Sequence, residues 1–289
     1  MSAELRRVDG KPVLRFERVL RHSPAEVWRA VTEPAELAHW FPASVTVDGT
    51  ALRFAFPDSE STGEVLELDA PRVFAFRWNT DVLRFELFPH EDGCLLVFTH
   101  ALDAEWTAGR TAAGWDTCLT ALGAGLDGRT AEQPAGRLDP VRHYVRAFGL
   151  DEGHEADGVV RFVRDLVWKP LDEVWALLAG DPADLPAHAA TPHVPAGPTT
   201  ALDPPRLLEF ASPTGTVRWE FRHDPERGTS VELTHALTDP AFAATALASW
   251  HVRLDLLFAA AFGETGPWPE DRFAELERRY GSRASSRAR

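Results

Sequence analysis

Cysteine is almost missing from this 289-residue chain. The two present, Cys94 and Cys118, are isolated, which excludes a disulfide framework or a zinc knuckle. Lysine is equally scarce, at Lys11 and Lys169, and arginine supplies nearly all the positive charge. No apolar run reaches eighteen residues, so no membrane-spanning helix is expected. The opening stretch, residues 1–11, is polar and lacks the apolar core of a secretory signal, so the expected location is cytoplasmic. Excess positive charge is absent too. The net charge is −14, with 12 basic and 20 acidic residues in 1–128 and 18 and 24 in the remainder. Two acidic halves exclude nucleic acid as the main partner, because phosphate binding needs clustered cations. The exception is the closing run Arg278, Arg279, Arg283, Arg287 and Arg289, expected to be a frayed, solvated basic tail.

Familiar catalytic signatures are also lacking. There is no HExxH, phosphate-binding glycine loop, G-x-S-x-G elbow or CxxC. His188 and His193 stand in a Pro/Ala-rich loop without a cysteine or carboxylate set, a poor metal site. Glu64, Glu67 and Asp69 read as a solvated strand face. No metal, cofactor or catalytic residue is assigned.

What is present is a repeat. Leu68-Asp-Ala-Pro-Arg-Val-Phe-Ala-Phe76 recurs as Leu202-Asp-Pro-Pro-Arg-Leu-Leu-Glu-Phe210, an offset of 134. Leu83-Arg-Phe-Glu-Leu87 recurs as Val217-Arg-Trp-Glu-Phe221. Thr99-His-Ala-Leu102 matches Thr234-His-Ala-Leu237, and Trp115 matches Trp250. Upstream, Phe16-x-Arg-x-Leu20 matches Phe162-x-Arg-x-Leu166, followed by Trp28 and Trp175. The copies are unequal. Between Trp28 and Leu68 the first copy has room for His39-Trp40-Phe41 and a hairpin, Ser44–Val47 and Ala51–Phe56, turning on Asp48-Gly49. The second has only a proline- and alanine-rich run over 181–200, which disfavours ladder strands. Its sheet is expected to be two strands smaller.

Each copy reads as strand, helix, strands, long helix. Residues 12–21 alternate as a strand. Ser23-Pro24-Ala25-Glu26 is a capping box with proline at the first helical position, so a helix starts there. Phe74, Phe76 and Trp78 share one strand face, as do Leu83, Phe85 and Leu87, and Leu96, Phe98, His100 and Leu102. The stripe Trp115, Leu119, Leu122, Leu126 marks a helix that buries itself on that sheet, and Trp250, Leu254, Leu257, Ala261 repeats it. The expected fold class is α+β. It comprises two tandem helix-grip domains, each a curved antiparallel sheet wrapped on a long C-terminal helix. The expected limits are 1–128 for domain 1, 129–157 for a linker with a short helix over 140–150, and 158–289 for a shortened domain 2. Phe273, Leu276 and Tyr280 predict a further helix near the end.

Five blocks carry a resemblance: Ser23-Pro-Ala-Glu-Val-Trp28, Glu33-Pro-Ala-Glu-Leu-x-x-Trp-Phe41, Asp69-x-Pro-Arg72, Thr99-His100 and the Trp115 helix. Together they resemble bacterial homologues of the C-terminal domain of the heat-shock-protein-90 ATPase activator, in the SRPBCC (START/Bet v 1-like) superfamily. Copy two keeps Pro170–Trp175, Asp203–Phe210, Thr234-His235 and Trp250 but has no Trp-Phe block. The resemblance implies a hydrophobic-ligand pocket or a protein-binding surface, and no shared catalytic residue.

A curved sheet gripping a helix leaves a cavity, and such pockets are mostly apolar with few polar groups. Candidate ligand-binding residues in domain 1 are Trp28, Trp40, Phe41, Phe54, Phe76, Trp78, Phe85, Phe98, His100, Trp115 and Leu119. A second pocket in domain 2 would use Trp175, Phe210, Trp219, Leu233, His235 and Trp250. His100 and His235, each on an apolar strand face, read either as pocket donors or acid–base groups, or as core histidines satisfied by a neighbour. The expected function is non-catalytic binding of a small hydrophobic or amphipathic ligand in domain 1, with domain 2 as support or interaction unit. One alternative is a polyketide aromatase/cyclase-like enzyme, which would need His100 with Arg77 or Asp116. The other is a chaperone-partner or protein-binding module.

Overall fold

The computed structural model describes residues 3–57, 59–132, 138–179 and 189–287. The chain divides into two compact units, Met1–Phe148 and Gly149–Arg289. Unit 1 opens with β1 (Glu4–Val8) and β2 (Lys11–Leu20), followed by α1 (Pro24–Thr32) and α2 (Pro34–Leu37). Six strands come next: β3 (Ser44–Asp48), β4 (Ala51–Ala55), β5 (Glu60–Asp69), β6 (Val73–Trp78), β7 (Asp81–His90) and β8 (Gly93–Ala101). The long helix α3 (Ala108–Leu126) and the short α4 (Asp139–Ala147) complete it. The sheet runs β1-β2-β8-β7-β6-β5-β4-β3, antiparallel throughout.

Local chemistry starts the elements where the sequence expects. Ser23 and Glu26 close the capping box, with the Ser23 N–H donating to Glu26 Oε2 at 2.8 Å and Pro24 in the first turn. Strand β1 is an addition to the sequence reading. It is a polar edge strand with no apolar alternation, and its only signal was Asp9-Gly10. Both of those residues take positive φ (50° and 81°) in the turn to β2.

The concave face is built in rows. Phe16, Phe98, Phe85 and Phe74 stand in register across β2, β8, β7 and β6. Leu14, His100, Leu83 and Phe76 form the adjacent row. Helix α3 lowers Trp115 onto the first row, with ring centroids 4.3 Å from Phe98, and buries Leu119 and Leu122 behind it.

Unit 2 contains β9 (His154–Ala156), β10 (Val159–Asp165), α5 (Leu171–Ala179), β11 (Thr199–Asp203), β12 (Leu207–Ser212), β13 (Gly215–Asp224), β14 (Gly228–Leu237), α6 (Ala243–Ala261) and α7 (Glu270–Arg287). Its sheet, β11-β12-β13-β14-β10-β9, is the first sheet without counterparts of β3 and β4. The rows repeat as Phe162, Leu233, Trp219, Leu208 and as Val160, His235, Val217, Phe210. The turns before β6 and β12 both hold a cis proline, at Ala70–Pro71 and Pro204–Pro205.

The stretch 129–157, expected as a linker whose helix packs on its parent unit or forms a spacer, divides between the units. Helix α4 buries Tyr144 within unit 1, and β9 joins the sheet of unit 2. The basic tail is not frayed as far as Arg287: α7 includes Arg278, Arg279 and Arg283, and both Arg279 and Arg283 pair with Glu152.

Candidate functional site: an aromatic cavity in unit 1

The grip of α3 on the sheet is incomplete beside β4. The space left is lined from four directions: by Val31 and Thr32 of α1, by Trp40 and Phe41 after α2, by Leu52 and Phe54 of β4, and by Phe74, Phe76, Phe85 and Trp115. Leu37, Val45 and Val47 complete it. Val47 is half exposed, so the cavity reaches solvent beside the β3–β4 hairpin. The free volume is about 30 Å³, close to that of a single water in the liquid.

Phe41 is the hub of the rings. It stacks on Trp115 at 5.9 Å and meets Phe54 and Trp78 edge-on at 6.2 and 5.8 Å. Such offset and edge contacts are the favoured aromatic geometries. The lining contains no titratable side chain. Its polar atoms are already paired: Thr32 Oγ1 donates to Trp28 O at 2.7 Å and Trp40 Nε1 to Ala30 O at 2.8 Å. The walls can stack, exclude water and match shape. They offer no acid, base, nucleophile or metal ligand.

Of the eleven residues expected here, Trp40, Phe41, Phe54, Phe76, Phe85 and Trp115 line the cavity. Trp78 stands behind the lining, stacked on Phe54 at 4.9 Å, with its N–H on Ser61 Oγ at 2.7 Å. Phe98 and Leu119 are core beneath it, and half-buried Trp28 lies outside the lining on α1. His100 is also outside. Trp115 Nε1–H donates to His100 Nδ1 at 2.9 Å, so the ring proton of neutral His100 sits on Nε2, which faces Asp81 Oδ2 at 2.9 Å. Asp81 Oδ1 accepts the Asp103 N–H. His100 is thus a core histidine with both nitrogens occupied. Sequence reasoning missed Leu52, Val31 and the hairpin valines, whose alternation was visible but unassigned.

Five of the six residues proposed for a second pocket are buried in the core of unit 2. Phe210, Trp219, Leu233, His235 and Trp250 are at most fractionally exposed, and Trp219 meets Trp250 edge-on at 5.7 Å. Trp219 stands in the row position of Phe85. Its N–H donates to Ala189 O at 3.2 Å, and Ala189 and Val194 are fully buried. The segment 189–194, inside the proline- and alanine-rich run, therefore packs at the position whose counterpart borders the cavity in unit 1. Trp175 is half-buried against Phe221. His235 repeats the buried pairing, with Trp250 Nε1–H on Nδ1 at 3.1 Å and Thr214 Oγ1 3.3 Å from Nε2. Burial pushes its pKa down to about 4. Gly215 stands where unit 1 has Asp81. At φ 143° a Cβ there would lie 1.9 Å from Ala236 O, so no carboxylate can take that place.

Residues 21–127 match the family described as Activator of Hsp90 ATPase homolog 1-like protein. The match lies wholly within unit 1. A conserved protein of unknown function from Enterococcus faecalis is similar at 24% identity, over 51% of this chain and 90% of its own, with a TM-score of 0.44. CalU16 from Micromonospora echinospora is similar at 21% identity, over 51% and 94%, with a TM-score of 0.41. The Aha1 dimer from Colwellia psychrerythraea is similar at 17% identity, over 39% and 95%, with a TM-score of 0.36. No curated protein matches the chain. The family match spans α1 through α3 and so includes the whole aromatic lining. Among the described residues no helix is long and apolar enough to cross a membrane, and no group of three metal-ligating side chains forms.

Proposed function

We propose that the Hsp90-activator-homologue-like unit binds a small hydrophobic or amphipathic molecule between α3 and the β3–β4 hairpin, without catalysis, and that unit 2 is a supporting or interaction unit. One contrast carries this reading. The sheet rows and helix tryptophan of unit 1 border an aromatic cavity open to solvent, whereas Trp219, in the row position of Phe85, is fully buried with its N–H on Ala189 O. Aromatic walls free of titratable groups suit recognition by stacking and area burial. The cyclase alternative has less support. Arg77 is exposed and paired with Glu64, and Asp116 is paired with Arg18, so neither joins His100.

The reading is tested by native mass spectrometry and tryptophan emission, with dodecanol, hexadecanoate, anthraquinone and 1-anilinonaphthalene-8-sulfonate as probes. Micromolar binding of at least one probe is expected. Phe85→Trp copies the residue of unit 2 into the lining and should weaken that binding at least tenfold. A parent protein that binds none of the four, or a Phe85→Trp variant that binds as the parent does, would overturn the assignment.

A further inference from the structure

The cavity is too small as it stands. A volume of about 30 Å³ holds no organic ligand, and pockets that do are roughly ten times larger or more. A second space of about 440 Å³ lies directly behind its wall, between α1–α2 and the C-terminal turns of α3. Its floor is apolar and small-residued: Ala30, Ala121, Leu122, Gly125 and Leu126. Its rim is polar: Glu36, His39, Arg129 and Thr130. Trp40 borders both spaces.

That wall stands on a short segment. Trp40 is itself buried, but it follows the four-residue helix α2, and over 33–43 only Leu37, Trp40, Phe41 and Ala43 are buried. The indole N–H, its one polar group, donates to Ala30 O. Segments with few buried contacts open at low free-energy cost. Displacing Trp40 joins the two spaces into one site of ligand size. The rim also limits what can lie there. The rim carries Glu36 beside the exposed Arg129–Asp127 pair, so its charges offset and neither sign of charge on an end group is favoured. Glu36, His39 and Thr130 still offer hydrogen-bonding groups to hydroxyls.

We infer that Trp40 is a movable partition and that the ligand is an amphiphile with an uncharged, hydroxyl-bearing polar end. Its apolar part lies among Phe41, Phe54, Phe85 and Trp115, and its polar end lies in the groove between α2 and the end of α3. This rests on the reading of the aromatic cavity as a ligand site.

Monodecanoin is the probe, measured by calorimetry and stopped-flow tryptophan emission, with sodium decanoate as the charged comparison. Gly125→Leu fills the groove without a clash, since a Cβ there meets nothing within 4 Å, and leucine is the better helix former. It should weaken monodecanoin binding at least tenfold. Trp40→Phe keeps an aromatic wall but removes the anchoring N–H, and should speed association at least threefold. Decanoate should bind the parent protein more weakly than monodecanoin. If Phe85→Trp abolishes monodecanoin binding while Gly125→Leu leaves it intact, the groove is not part of the site, although the cavity assignment stands. An unchanged association rate in Trp40→Phe overturns the partition, and tighter binding of decanoate overturns the uncharged head. No binding of monodecanoin by a parent protein that binds another apolar probe removes this inference alone. No binding of any probe removes both.

Discussion

Each unit places a histidine among leucines and phenylalanines, and at this scale one hydrogen bond explains it. An indole N–H is a donor only, and buried inside the grip it needs an acceptor. His100 Nδ1 serves Trp115 and His235 Nδ1 serves Trp250. The difference lies on the other nitrogen, which faces a carboxylate in unit 1 and a hydroxyl in unit 2. A buried imidazolium without a carboxylate is disfavoured, which is why the His235 pKa falls from 6.5 to about 4. Between those values the unfolded chain binds a proton that the folded unit does not. The stabilisation is complete above pH 6.5 and is lost as pH falls towards 4. The full shift corresponds to up to about 3 kcal/mol. Urea midpoints read by tryptophan emission should therefore fall between pH 6.5 and 4. His235→Asn, which keeps an acceptor near the indole, should flatten that fall. An equally steep fall in the variant would assign the proton elsewhere.

At the scale of elements the repeat runs further than its sequence blocks. Helices α4 and α7 each bring a tyrosine to the corresponding junction of their own unit. Tyr144 meets Asp116 of α3, which pairs with Arg18 of β2, and its hydroxyl accepts the Ala3 N–H at 3.3 Å. Tyr280 lies 2.9 Å from His251 Nδ1 of α6 and accepts the Gly153 N–H at 3.2 Å, while Arg164 of β10 donates to the carbonyls of Leu150 and Asp151. The appended helices are thus pinned by one arrangement, with His251 standing where unit 1 has Asp116. Replacing either tyrosine by phenylalanine should cost about 1 kcal/mol. It should also speed hydrogen exchange of the Ala3 or the Gly153 amide at least fivefold, and an unaltered rate would mean the hydroxyl secures nothing. This junction was not legible in the sequence, because Arg18, Asp116 and Tyr144 are far apart in the chain and follow no period. The strands, the capping box at Ser23 and the grip helices were legible, since period two, period 3.6 and cap chemistry are local. The aromatic cavity was half legible. Alternation named the inward faces, but only packing decides which inward ring touches space and which touches another ring. Phe85 and Phe98 are paired neighbours with identical patterning, and only Phe85 borders the void.

Across the whole molecule the two units have diverged in what fills the concave side. Unit 1 uses residues 44–55 for a hairpin that extends the sheet, and the aromatic cavity lies beside it. Unit 2 has no such strands among its described residues. It brings Ala189 and Val194 inward, and it carries a fully buried tryptophan where unit 1 carries Phe85. A ligand should therefore bind with a stoichiometry of one per chain even though the fold is present twice. Calorimetric titration with whichever apolar probe binds should give one site, and Phe85→Trp should weaken it at least tenfold. The reverse change, Trp219→Phe, should open no second site, because the backbone of 189–194 still covers the position. It should instead cost stability through the lost packing and the unmade bond to Ala189 O, on the order of 1–3 kcal/mol. Two sites in the parent protein would show that closure of the second core is not what separates the units.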